Sequence, residues 1–336
     1  MKKIVSLVLA LILCGAMCLS LVSCKETEIK VNPDKEHYVV GICQLVQHGA
    51  LDDATRGFKD ALTEALTEAG RTVEFLEQNA QGDSTTCSTI VNSFVSSDVD
   101  LILGNATAAL QAAYTATETI PVLGTSITEY GVALGLTGFD GVVGSNVSGT
   151  SDLAPLETQA QMMIDILALE AGAKIGLVYC SAEPNSTYQV TVVKNYLEDL
   201  GYECEEYKFA DSNELATIVE RAANESDAIY VPTDNTVASN TEIIYNVCSP
   251  KDVPVFAGEE ATCSGCGFAT LAISYYNLGR TTGEMAARVL LGQEDIREMP
   301  VAYDENAVKK YNKAICDELG IDTDALDALG YVQIAE

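Results

Sequence analysis

The sequence predicts an α/β protein of two similar lobes, each built on a parallel sheet, and three observations predict it. First, apolar runs of strand length alternate with amphipathic stretches of helix length, the pattern of a sheet covered by helices on both faces. Second, the alternation runs once from Tyr38 and again from Lys174 in the same order of elements, at a spacing too long for a solenoid. Third, each half ends in a polar segment of small residues, one from Gly144 to Thr150 and one containing Asn277 and Gly279. Such segments suit crossings between lobes, because they absorb backbone change at low steric cost. A chain of 336 residues has room for about two domains.

In order, Tyr38–Gln44 reads as a buried strand and Asp52–Ala69 as an amphipathic helix with Phe58, Leu62 and Leu66 on one face, ended by Gly70. Thr72–Leu76 is a strand, and Asp83–Val95 a helix capped by Asp83 and Ser84. Leu101–Gly104 hands over to a helix at Thr107–Thr117, the strand Ile120–Gly124 follows, and Val132–Phe139 is a further apolar, glycine-dotted stretch. A helix over Leu153–Ala171 leads to the second set. There Ile175–Cys180, Tyr202–Tyr207, Asp227–Pro232 and Pro254–Gly258 are strands, and Phe268–Ser274 matches the stretch Val132–Phe139. Ser186–Leu200, Asn213–Ala223, Val237–Val247 and Thr282–Leu291 are helices.

The sharpest junction is DAIYVPTDNTVAS from Asp227, an apolar run followed by the helix caps Thr233, Asp234 and Asn235. Its counterpart is VDLILGNATAALQ from Val99. In an open parallel sheet such junctions lie on the rim where ligands bind, and the helix start offers free N–H groups.

With 19 basic and 49 acidic residues the formal charge is −30. Such a surface repels nucleic acid and anionic lipid headgroups, which leaves small molecules and proteins as partners. At the N-terminus Lys2 and Lys3 precede an apolar run from Ile4 to Leu19, then Leu21-Val22-Ser23-Cys24. The run is short for a membrane span and broken by Gly15. This segment resembles a bacterial lipoprotein signal peptide, so residues 1–23 are expected to be removed, Cys24 to carry the lipid, and 24–36 to be a tether. His37 and His48 are the only histidines, which leaves little material for a histidine-based triad or metal site. Neither an enzyme, a metal nor a cofactor is expected. Eight cysteines follow Cys24, among them the single pair Cys263 and Cys266, read as thiols or a local disulfide. Cys43 and Cys180 end equivalent strands, and their meeting across a cleft is the one thiol-based alternative.

HGALDDATRGF at His48, NVSGTSD at Asn146, SAEPNSTYQV at Ser181, DAIYVPTDNTVAS at Asp227, PVFAGEE at Pro254 and ISYYNLGRTTGEMA at Ile273 form an ordered set. Through them the chain resembles the tryptophan/tyrosine-type substrate-binding lipoproteins of bacterial ABC transporters. The resemblance implies the periplasmic-binding-protein type I fold, two Rossmann-like lobes joined by a three-crossing hinge. It places one lobe at 37–146 plus 270–296 and the other at 151–268 plus 297–336. It further implies a monomer outside the cytoplasm, held to the cell membrane by lipid (palmitate) on Cys24. That monomer would close on an amino acid, aromatic by the family's habit, and deliver it to an ABC permease and its ATPase. A nucleoside or sugar as solute, or a surface interaction protein keeping the fold, are the competing readings. The chain departs from the family pattern at Gly49, at Thr107-Ala108 and at Thr128-Glu129-Tyr130, all on first-lobe strand ends.

An amino acid presents a carboxylate, an ammonium and a side chain. Ser181, Asn185 and Ser186, or Thr107 on the other lobe, stand at helix starts that suit the carboxylate. Asp234 suits the ammonium as well as capping its own helix, and Glu259 and Glu260 are the alternatives. Tyr275 is the favoured aromatic wall, ahead of Tyr130 and Tyr188. Gln44, His48, Ser126 and Asn235 complete the expected lining.

Overall fold

The structure is a computed structural model that describes residues 28–304 and 306–335. The signal segment and Cys24 lie outside the described residues. The first half supplies strands β1 (His37–Gln44), β2 (Thr72–Asn79), β3 (Leu101–Asn105), β4 (Val122–Ile127) and β5 (Val147–Ser151). The second supplies β6 (Lys174–Cys180), β7 (Glu203–Phe209), β8 (Ala228–Val231), β9 (Val255–Ala257) and β10 (Ala269–Ala272). The tail adds β11 (Ala302–Tyr303), β12 (Val308–Tyr311) and β13 (Val332–Gln333). Two sheets result, ordered β11-β5-β4-β3-β1-β2 and β13-β12-β10-β9-β8-β6-β7. Every pairing is parallel except that of β10 with β12.

The helices of the first half are α1 (Gly49–Glu68), α2 (Ser84–Ser96), α3 (Thr107–Ala116) and α4 (Tyr130–Leu134). Those of the second are α5 (Leu156–Leu167), α6 (Pro184–Asp199), α7 (Ser212–Glu225), α8 (Asn235–Ala238), α9 (Thr241–Cys248) and α10 (Glu260–Cys266). The chain then forms α11 (Tyr275–Leu290), α12 (Lys313–Leu319) and α13 (Thr323–Ala328). Each sheet has apolar layers on both faces. Phe94, Ile102, Leu110 and Val122 lie on one side of the first sheet, and Val40, Phe58, Leu62 and Met285 on the other. In the second sheet Leu177, Tyr230 and Phe256 oppose Val178, Ile229 and Val219. Burial on both faces is why these strands read as continuous apolar runs.

The small-residue segments do other work than bending. Residues 147–151 are a fully buried strand, and Gly149 sits at φ 144° where a Cβ would collide with the Gly124 carbonyl. The small side chains there let β5 lie close to β4. The apolar stretch from Val132 begins as helix. It continues α4, which a left-handed Gly135 (φ 64°) ends. Residues 275–279 are the first turn of α11, where a Cβ on Gly279 would meet the Ala54 carbonyl and one on Gly57 the Tyr276 carbonyl. Helices α1 and α11 therefore approach backbone to backbone. The long helix read over Val237–Val247 breaks at Ser239 and Asn240 into α8 and α9. By strand membership the chain passes from one sheet to the other after β5, returns after β10 and passes again after β11.

Candidate functional site

The C-terminal ends of the two sheets face each other, and their loops touch. His48, the residue before α1, places Nε2 3.2 Å from Asn235 Oδ1 in the second lobe. A Cβ built on Gly49 would lie 3.2 Å from the Ala261 Cβ of α10. Helix α4 contacts α6. The clamp is closed.

On the hinge side of the cleft two carboxylates are buried. Asp152, just past β5, is 4% exposed, and Glu259, just past β9, is 2% exposed. Asp152 Oδ2 accepts from the Tyr275 hydroxyl at 2.8 Å, while Oδ1 is buried with no partner among the described residues. Burial raises the Asp152 carboxyl above its ordinary range, the Tyr275 and Thr128 hydroxyls pull it down, and the Glu259 carboxylate adds to the rise. The same surroundings push the Tyr275 hydroxyl well up. Glu259 is tied by both oxygens to the start of α10, accepting from Ala261 N at 2.6 Å and Thr262 N at 2.5 Å. No lysine or arginine is among the buried described residues. A buried carboxylate approached only by hydroxyls, with no lysine or arginine among the buried described residues to neutralise it, suits a cationic donor.

The neighbouring strand ends of the first lobe are also open. Ser126, next to last in β4, has φ 59°, a conformation that is strained for a residue with a side chain. Its hydroxyl is buried without a partner. Ala106, after β3, has φ 83° and leads directly into α3 at buried Thr107, with no side-chain cap. The first-turn N–H groups of α3 thus lack both an intrahelical partner and a cap, an arrangement that suits an anion. Gln44 differs. Its amide is fully used within the lobe, donating to Asp52 Oδ1 at 2.7 Å and Val46 O at 2.9 Å and accepting from Thr55 at 2.7 Å.

The second-lobe rim is bonded to itself. Asp234, 1% exposed, accepts from Cys180 N at 2.7 Å and from Val237 N at 2.9 Å, so it ties β6 to α8. Burial first, then the Glu183 carboxylate, push its carboxyl up to about 7, against the pull of those N–H groups and of Ser186. Asn185 and Gln189 both donate to the Thr233 carbonyl, at 3.1 and 3.0 Å. Glu183 takes the backbone and side-chain donors of Asn235 and Thr236. Ser181 is exposed and turns to β7, donating to the Phe209 carbonyl at 3.0 Å. Glu260 is ion-paired with Lys310.

Tyr130 is a core residue that donates to the Gly124 carbonyl at 3.1 Å and stacks on Phe139. Cys43 and Cys180 do not meet, since each is buried in the core of its own lobe. All eight cysteines among the described residues are free thiols, and none of those residues forms a metal-ligating cluster. Cys263 and Cys266 instead turn back to the Gly267 and Thr262 carbonyls of α10. Asp152 was not singled out from the sequence. Its signal was there in NVSGTSD, a strand ending in a carboxylate, but that segment read as a hinge.

Two sheets hinged by three crossings and closed over an unpartnered carboxylate define a solute-binding clamp. The chain belongs to the family of ABC transporter substrate binding proteins, whose model matches residues 39–327. Members of that family bind solutes and are not enzymes, and they work outside the cytoplasm. The chain is 35% identical to a tyrosine-binding protein of Clostridioides difficile (strain R20291) over 307 residues, 89% of this chain and 87% of the other. It is 31% identical to a Streptococcus pneumonia domain solved in complex with L-Trp, covering 88% of this chain and 100% of that one at a TM-score of 0.81. Against the ligand-free, open structure of a substrate-binding protein with adhesive properties from Clostridium difficile, the identity is 33%, the coverage 89% and 100%, and the TM-score 0.65. The better overlay on the L-Trp complex at similar identity agrees with the lobe contacts seen directly. Among the described residues no helix is long and apolar enough to cross a membrane.

Proposed function

We propose that the clamp closes on the zwitterion of an aromatic amino acid, with Asp152 receiving the ammonium. The observation that carries this reading is the unpartnered, buried Asp152 Oδ1 in a cleft without a buried basic side chain. The carboxylate goes to the open first turn of α3, with Thr107 and the Ser126 hydroxyl beside it. These groups share one edge with Asp152, because β3, β4 and β5 are adjacent parallel strands. Tyr275 orients Asp152 and walls the solute. Asp234, Asn185 and Ser186 act one layer back, holding the second-lobe rim in shape. The names of the relatives support the aromatic class, one being a tyrosine-binding protein and one a complex with L-Trp.

In this reading the chain is a monomer carrying lipid on Cys24, and it hands its solute to an ABC permease with a separate ATPase. Mass spectrometry of the protein from membranes tests the anchor through an acylated N-terminal Cys24. A thermal-shift screen tests the solute. L-Tyrosine, L-tryptophan or L-phenylalanine at a hundred times the dissociation constant should add about 2.7 kcal/mol of stability, while sugars and nucleosides should add none. No shift with any amino acid overturns the reading.

A further inference from the structure

The HGALDD segment lies outside the solute site proposed above, and it carries a hydrogen bond between the lobes. Asn235 Nδ2 donates to Glu183 Oε2 at 2.7 Å, which orients the side-chain amide so that Oδ1 faces His48 at 3.2 Å. An amide oxygen only accepts, so the His48 Nε2 must carry the proton. Asn235 is further held by its own backbone N–H on Glu183 at 3.0 Å, and Thr236 binds the other carboxylate oxygen through N–H at 2.9 Å and hydroxyl at 2.8 Å. The acceptor that His48 meets is therefore preorganised, and little freedom is lost on docking. Next to it Gly49 faces Ala261 with room for no more than a methyl group. Glu183 and Asn235 also line a cavity of about 290 Å³ between the lobes, with Leu45 and Val46 opposite.

We propose that His48 and the Asn235–Glu183 pair form a latch between the lobes, closing over the Gly49–Ala261 seam, and that this latch sets how long the closed clamp retains its solute. His48 and Asn235 are positioning residues here. Their bond exists only when the lobes are together, so it must break before release and need not form before the solute enters. The effect therefore falls on dissociation. The inference rests on the clamp reading but not on which solute is bound.

The test uses the mature chain with L-tyrosine as probe, in stopped-flow release and association. His48→Ala and Asn235→Ala should each speed release about three- to tenfold, the range for one neutral hydrogen bond, and leave association within about twofold. The double variant should release no faster than the faster single one, because one bond is lost in all three. Gly49→Leu should speed release by wedging the seam while leaving the bond-forming residues intact. Unchanged release in both single variants, or a double effect equal to the product of the singles, overturns the latch. If L-tyrosine and L-tryptophan bind neither wild type nor variants, the aromatic reading fails, and the latch is then read by small-angle X-ray scattering of the solute-free chain. A larger mean radius of gyration for His48→Ala than for wild type supports it, and equal radii overturn it.

Discussion

The two rims of the cleft are built from the same kind of strand-to-helix junction and have opposite characters. In the second lobe Asp234 is bound to Cys180 N and Val237 N, Glu183 to Asn235 and Thr236, and Gln189 to Thr233, so these polar groups satisfy one another. In the first lobe Asp152 Oδ1 and the Ser126 hydroxyl are buried without partners, and Ser126 and Ala106 hold strained backbone angles. Groups saturated in this way hold a rim in shape, while unsaturated and strained ones are what the proposed solute site calls for. In the proposed reading a good capping sequence does not mark the ligand site, because capping is what removes the free groups.

The contrast can be broken most forcefully at Asp234. Asp234→Ala leaves two buried N–H groups without acceptors, and the expected loss is about 3 kcal/mol of unfolding free energy, read by urea denaturation at pH 6. If this variant instead folds as wild type and loses solute binding, the assignment of the two rims is reversed. Next comes Asp152→Asn, which removes the charge while keeping the shape. It should weaken amino-acid binding by about 2 kcal/mol, on the order of thirtyfold, with the unfolding midpoint held or raised, in isothermal titration calorimetry paired with thermal unfolding. Because the Asp152 carboxyl is raised above its ordinary range by burial, wild-type affinity should also rise with pH through that raised value, and Asp152→Asn should lose this slope.

The pH dependence of stability sharpens the same contrast. The Asp234 carboxyl titrates near 7 in the fold against 3.8 as its ordinary value, so between these values the native state holds a proton that the unfolded chain has released. Stability should fall as pH rises from about 4 to about 7, by at most about 1.4 kcal/mol per pH unit from this group, and level off above. Asp234→Ala should remove that component. The smallest effect is expected at Ser126→Gly. Relief of the left-handed backbone should stabilise the fold by about 1 kcal/mol, and loss of the hydroxyl should weaken binding severalfold. A destabilised Ser126→Gly would show that no strain is stored there.

Much of the fold was legible because burial of parallel strands on both faces writes itself as apolar runs, as in Ile175–Cys180 and Leu101–Gly104. The handover at Asp83 was legible because capping is local, and its side chain does accept from Thr86 N at 2.7 Å. The strand Val147–Ser151 was not legible. It carries Ser, Gly and Thr where β5 crowds against β4, and close packing and flexibility call for the same small residues. The apolar stretch at Val132 left its type open for another reason, since a short run has no periodicity long enough to separate helix from strand.

By itself the sequence determined the alternation of elements, the repetition of the lobes, the acidic surface and the membership in a family of solute-binding proteins. These depend on composition and local order. Which carboxylate remains free was decided only by the tertiary structure. Asp234 is satisfied by an N–H 54 positions away, and Asp152 is oriented by a hydroxyl 123 positions away that reaches only one of its oxygens. Hydrogen-bond saturation belongs to neighbours that folding brings together, and no spacing along the chain records it.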